Sequence, residues 1–158
     1  MVRLVPMTES EFHVYCKHSI ENYAQEHVKA GNWHPAEALQ KVEKEFLQLL
    51  PDGVASKNQH FFSIERDHTG VKVGMIWFAV RDDASRPSAF IYDFRIDEEF
   101  RRSGYGRQTL MRLEEKVREL GLDTISLHVF GHNQAAIALY QMTGYEVTDL
   151  HMTKKLSD

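Results

Sequence analysis

Two hydrophobic periods divide the chain. Up to Gly53 apolar residues recur every three or four positions, the spacing of one helical face; beyond it they fall in short runs rich in β-branched and aromatic residues, the pattern of strands. After a short opening strand, Val2 to Pro6, the residues Phe12, Cys16, Ile20, Tyr23 and His27 mark the face of a first helix. Thr8-Glu9-Ser10-Glu11 has the spacing of a capping box for its start, and Lys29-Ala30-Gly31 places glycine past its end. Pro35 opens a second helix at its first position, with Leu39, Val42, Phe46 and Leu49 as the apolar stripe and Pro51-Asp52-Gly53 as the stop.

The strand-like part begins with His60 to Glu65 and Val71 to Arg81, joined by the hairpin loop Asp67-His68-Thr69-Gly70. A polar loop, Asp82 to Ser88, leads to a third run, Ala89 to Asp97, which completes an antiparallel meander. Leu110, Leu113, Val117 and Leu120 then return to helical spacing, ending at Gly121. Thr124 to Phe130 alternates as a strand, Asn133 to Met142 is a short helix stopped by Gly144, and Tyr145 to Leu156 is expected to be a final strand. A second half built as strand, helix, strand, helix, strand requires at least one parallel crossover. The fold class is therefore α/β of the α+β, mixed-sheet kind, with a central sheet flanked by about four helices.

Composition narrows the function. A chain of 158 residues, 42% of them hydrophobic, is the size of one compact domain, and 1–158 is read as a single domain without internal repeat or linker. The opening run "MVRLVPMTESEF" lacks an apolar signal region, and no window approaches the roughly 18 apolar residues of a membrane span, so a cytoplasmic protein without a membrane partner is expected. One cysteine, Cys16, excludes an internal disulfide framework and a cysteine-rich zinc site. The nine histidines supply no ligand spacing with a carboxylate at hand, His128 and His132 being separated by a glycine at a strand end, so no metal is expected. A net charge of −4 argues against a nucleic-acid partner, which calls for a broad basic stripe.

Against that acidity, "FRRSGYGRQTLMR", Phe100 to Arg112, concentrates four arginines and two glycines. A strand, a loop with Gly104 and Gly106, and then an amphipathic helix make an anion site. Glycine lets the backbone turn and approach, the first helical N–H groups lack internal partners, and the helix dipole favours negative charge there. Arg101, Arg102 and Arg107 add forked donors, so a phosphate or pyrophosphate is the expected ligand. The nucleoside-triphosphate P-loop string is absent. The dinucleotide fingerprint fails twice: Thr109 stands where its third small residue belongs, and Asp123 precedes the next strand instead of ending it.

Arg101-x-x-Gly104-x-Gly106 after a strand resembles the Arg/Gln-x-x-Gly-x-Gly/Ala signature of the GNAT acetyltransferase superfamily. A second block, "NQAAIALYQMTGYE", resembles the same superfamily's pattern at Asn133, Ala136, Leu139, Tyr140, Gly144 and Tyr145. "AFIYDF" and "SLHVFGHN" resemble small bacterial members of unassigned acceptor. The resemblance covers essentially the whole chain, strongly from Ala89 onward. It implies the GNAT fold and acetyl transfer from acetyl-CoA, as co-substrate, to a primary amine by direct attack in a ternary complex.

Residue by residue, the resemblance implies that backbone groups of Phe94, Arg95 and Ile96 pair with the pantetheine arm, and that one N–H there polarises the thioester carbonyl. The loop Arg101, Arg102, Ser103, Gly104, Tyr105, Gly106 and Arg107 would hold the pyrophosphate. Asn133 would bond the pantetheine or cap its helix, and Tyr140, two turns on and on the same face as Ile137, would be both a cofactor contact and the general acid. The chemistry sets the demands. A lysine-like amine with pKa near 10.4 costs roughly 4 to 5 kcal/mol to present neutral at pH 7. A phenol near 10 donates to a thiolate near 8.5 with a step of only about 2 kcal/mol.

The base departs from the commoner family pattern, because Tyr92 occupies the position where many members carry glutamate. Asp93 is taken as the base, with His128 as the other candidate; Asp93 has an alternative as the ion-pair partner of Arg95 or Arg101. The carboxylates of the first two helices, Glu21, Glu26, Glu37, Glu43 and Glu45, form solvated faces. They would attract a cationic amine if the loop Gly31 to Pro35, with Trp33 as a wall, overhangs the acyl end of the site. A non-catalytic acyl-CoA-binding or protein-interaction module and a nucleotide-binding domain are the competing classes, and the assembly is expected to be a monomer or homodimer.

Overall fold

The computed structural model describes residues 1–82 and 85–157. They form two compact units, Met1–Leu127 and His128–Asp158. Part of the polar loop read at 82–88 falls on residues 83 and 84, outside the described residues.

In the first unit a five-stranded sheet runs in the order β1 (Val2–Pro6), β2 (Gln59–Arg66), β3 (Lys72–Arg81), β4 (Ser88–Ile96) and β5 (Ile125–Leu127). The first four strands are an antiparallel meander, and β5 joins β4 in parallel, as the required crossover demands. Three helices accompany them: α1 (Glu9–Lys29), α2 (Pro35–Leu49) and α3 (Tyr105–Glu119).

Side-chain parity assigns the two faces. Phe61, Met75 and Trp77 point to one side, where Phe12 and Tyr15 of α1 and Phe46 and Leu49 of α2 cover them. Phe62 and Phe78 point to the other, where Lys116 of α3 lies 5.8 Å over the Phe62 ring and Leu110, Leu113 and Val117 are buried. Arg112 of α3 also donates to the Val2 carbonyl at 3.1 Å, tying α3 to β1.

The capping box is formed: Thr8 accepts from the Glu11 N–H and Glu11 from the Thr8 N–H. Glu11 also accepts from Ser63 at 3.1 Å and pairs with Lys72, so the start of α1 is fastened to β2 and β3.

The helical stripes differ from the pattern read off the sequence. Tyr15 and Ala24 are buried on α1, whereas Tyr23 is 41% exposed; on α2, Ala38 and Val42 are buried while Leu39 is 46% exposed. The reason is close packing of the two helices: small residues, Ala24 and Ala38, meet at their contact with Val42, and the larger apolar residues flank it.

The second unit holds α4 (Gln134–Met142), with Asn133 as N-cap. Two expected strands change. The run Thr124 to Phe130 is strand only over Ile125–Leu127, and among the described residues 145–157 carry no regular secondary structure. Alternation in that last run lapses at Asp149-Leu150 and Lys154-Lys155, and its own unit offers no extended neighbour to receive its backbone hydrogen bonds.

Candidate active site

β4 is not a regular strand. Phe78 pairs with Ile91 and Trp77 with Asp93, so Tyr92 is an extra residue, a β-bulge. Its effect is to change the parity of the strand. Tyr92 stacks on Trp77 at 4.7 Å between ring centroids, and Asp93, directly opposite Trp77, lies on the same α1/α2 side. Two consecutive side chains thus address one face. Phe94 and Ile96 turn to the other, joining the cluster of Val2, Ile64 and Val73. The ladder with β5 covers Ala89–Ile91 against Ile125–Leu127, and the bulge follows directly.

Asp93 is half-buried, and its Oδ2 accepts from the Tyr15 hydroxyl at 2.7 Å. Ser19, one turn along α1, in turn donates to the Tyr15 hydroxyl at 3.4 Å. Burial, then the Asp93 charge, hold the Tyr15 phenol well above its ordinary pKa, so it stays a donor. Neither arginine considered as the Asp93 partner takes that place: Arg95 lies 3.5 Å from Asp97, and Arg101 Nε donates to the Ile96 carbonyl at 2.8 Å. Tyr92, at the glutamate position, accepts from Arg81 Nη2 at 2.8 Å, and that guanidinium lies 3.6 Å over the Phe90 ring. Tyr15, Ser19 and Arg81 escaped the sequence reading because nothing local marks a partner 78 residues away in the chain.

Past Ile96 a 3-10 turn, Glu98–Phe100, carries the chain into the arginine-glycine loop. Arg102 (φ 63°) and Gly104 (φ 81°) are left-handed, and Tyr105 begins α3. A left-handed residue followed by right-handed ones turns successive N–H groups to one side, an anion-binding nest. Gly104, as N-cap, has no side chain to bond them, so the first-turn N–H groups of Tyr105, Gly106 and Arg107 have no partner from the cap residue. The loop is anchored from below, where Tyr105 and Phe100 pack with Phe94 and Ile96. Thr109, fully buried, returns its hydroxyl to the Tyr105 carbonyl at 2.7 Å. Arg101, Arg102, Ser103, Gly104 and Arg107 are exposed. These residues and Asp93 to Ile96 therefore lie on one strand–turn–helix passage.

In the second unit Asn133 uses its side-chain oxygen on the Ala136 N–H at 3.3 Å, the capping role expected of it. Tyr140 lies near the end of α4, its ring edge-on to Tyr145 at 5.5 Å. His128 opens this unit, its ring 5.3 Å from Phe130. Among the described residues no group of three or more His, Cys, Asp or Glu side chains could hold a metal, and no helix is long and apolar enough to cross a membrane.

Trp33 packs on Ala24, Ala38 and Val42, stacks on His27 at 3.9 Å and lies 5.6 Å under Lys41. It clamps α1 to α2, so any test of Trp33→Ala on acceptor choice must be read beside a melting curve. Cys16, half-buried on α1, has its thiol pushed up to about 11 by desolvation. At pH 7.5 it should react with a disulfide reagent about a hundredfold more slowly than glutathione, recovering in denaturant; equal rates in the folded protein would contradict the burial of that sulfur.

The class follows from how β4 is used: a meander strand that bulges, turns through glycine and delivers an uncapped helix start is built as in an acyltransferase. The chain belongs to the GNAT acetyltransferase family, whose model, "Acetyltransferase (GNAT) family", matches residues 22–145. It is 39% identical over 155 residues to the uncharacterized N-acetyltransferase YycN of Bacillus subtilis (strain 168), covering 98% of this chain and 99% of that one. It is 37% identical over 153 residues to YdgE of the same organism, also an uncharacterized N-acetyltransferase, covering 97% of each. The crystal structure of YycN superposes with a TM-score of 0.88 at 38% identity over 100% of both chains. A predicted acetyltransferase of Clostridium acetobutylicum, solved with acetyl-CoA, shares the fold, with a TM-score of 0.65 at 14% identity over 99% of this chain and 97% of that one.

Proposed function

We propose that the protein moves an acetyl group from acetyl-CoA to a primary amine of a small molecule or peptide, by direct attack in a ternary complex. The observation that carries this reading is the uncapped start of α3 behind Gly104, reached directly from the bulged β4. In this reading the N–H groups of the loop Arg101 to Arg107, with its exposed arginines, grip the pyrophosphate. The backbone of Phe94, Arg95 and Ile96 pairs with the pantetheine arm, and one N–H there polarises the thioester carbonyl. Asn133 bonds the pantetheine or caps α4. Asp93 takes a proton from the ammonium, the neutral amine attacks the carbonyl carbon, the carbon–sulfur bond breaks as Tyr140 gives a proton to the departing thiolate, and the second proton shed by the new amide nitrogen passes through solvent to restore Tyr140. His128 is the second candidate for the base. The whole chain acts as one domain in the cytoplasm, as a monomer or homodimer, without metal, nucleic acid or membrane.

Free-thiol detection with acetyl-CoA and a panel of polyamines, aminoglycosides, amino acids and peptides with free N-termini tests the reading. Thiol release that depends on one amine class is expected. Tight acetyl-CoA binding without thiol release on any amine would instead support a non-catalytic acyl-CoA-binding module. Competition by adenine dinucleotides would point to a nucleotide-binding domain.

A further inference from the structure

The α1 side of the site contains a polar chain that the acetyl-transfer scheme does not use. Tyr15 is 6% exposed, its ring set among Phe61 at 6.1 Å and Trp77 at 6.4 Å, yet its hydroxyl leaves that apolar cluster to meet Asp93. We infer that Tyr15, backed by Ser19, is a positioning residue: its hydroxyl holds one oxygen of the Asp93 carboxylate, so that the other is presented to the substrate ammonium in a fixed orientation. The inference rests on the proposed role of Asp93 as base.

The geometry argues for it in three ways. The 2.7 Å separation is that of a charge-assisted O–H to carboxylate bond, about twice as strong as a neutral one. The donor is held in place, because the buried Tyr15 ring packs against Phe61 and Trp77. The acceptor is rigid too, because the bulge places Asp93 beside Tyr92, whose ring is pinned between Trp77 and Arg81. Cys16 and Ser19 on α1 and Trp77 on β3 adjoin this pair, and the nearby Arg81 turns its donors to the Tyr92 hydroxyl. Among the described residues Tyr15 is the side-chain hydrogen-bond donor to Asp93, and an ordered carboxylate is a better proton acceptor for a positioned ammonium than a rotating one.

Tyr15→Phe tests this, since the ring contacts remain and only the hydroxyl goes. With acetyl-CoA and the panel amine turned over fastest, kcat should fall about tenfold with acetyl-CoA affinity unchanged. The loss should fall on kcat and leave the KM for the amine unchanged, because the ring contacts remain and only the orientation of the carboxylate is released. Ser19→Ala should do the same more weakly. A second readout needs no acceptor: wild type should show a downfield phenolic proton resonance that is missing in Tyr15→Phe and loses its downfield shift in Asp93→Asn. A Tyr15→Phe kcat equal to that of wild type, or full turnover by Asp93→Asn, overturns the positioning role while leaving acetyl transfer intact. A wild type that releases no thiol on any amine takes down the acetyl-transfer reading and this role with it.

Discussion

Tyr140→Phe is expected to lower the single-turnover rate of acetyl transfer at saturating acetyl-CoA about a hundredfold. The phenol is the proposed source of the proton that neutralises the leaving thiolate, and losing a positioned acid costs about 10²-fold or more. The ring keeps its edge contact with Tyr145, so the change isolates one hydroxyl. Rapid-quench measurement avoids masking by slow product release. Equal rates in both proteins would show that the thiolate leaves unassisted or takes its proton elsewhere.

Gly74→Ala should be the most destabilising small substitution in the sheet. Gly74 faces Ile96 across β3 and β4, and a Cβ there would sit 2.1 Å from the Arg95 carbonyl oxygen and 3.0 Å from the Ile96 Cα. Both obstacles are backbone, so no rotamer change relieves them and the strands must part. Overpacking of this kind costs about 3 kcal/mol, which in a chain of this size lowers Tm by about 6 to 12 °C. The same displacement moves Arg95 and Ile96, the proposed pantetheine edge, so acetyl-CoA affinity should fall about tenfold at a temperature where the variant is still folded. Gly131→Ala is the control, because nothing lies within 4 Å of a Cβ there; it should leave both quantities unchanged. A Gly74→Ala protein that melts with wild type would mean that β3 and β4 are less tightly laddered than described.

Much of this was written in local chemistry. The capping box at Thr8 and Glu11, the proline start of α2, the hairpin at Asp67–Gly70 and the glycine turn into α3 each depend on a few adjacent residues, and each appears where the pattern put it. Orientation was less legible, since which face of α1 and α2 is covered depends on the partner: a pair of alanines set the approach, and Leu39 and Tyr23 were left outside. The bulge at Tyr92 left no mark in the alternation of "AFIYDF", because a long apolar strand reads the same with or without an inserted residue. Asp93 was read as the base with an ion pair to Arg95 or Arg101 as the alternative, and charge along the sequence could not reveal that a neutral phenol on a distant helix bonds it instead. The strand expected at Tyr145 to Leu156 failed for the same reason: pairing is a property of two segments, and one segment's composition cannot supply the other.

The inserted residue in β4 separates two kinds of heritable change. Ala89, Ile91, Phe94 and Ile96 keep an unbroken apolar series towards α3 on either side of the kink, while Phe90, Tyr92, Asp93 and Arg95 pass from aromatic to charged on the opposite side. The first set serves packing, whereas the second answers twice: Tyr92 stacks on Trp77 and Asp93 is held by Tyr15, so a new side chain at either position must find a packing or hydrogen-bonding partner on α1 or β3 before it can alter the chemistry.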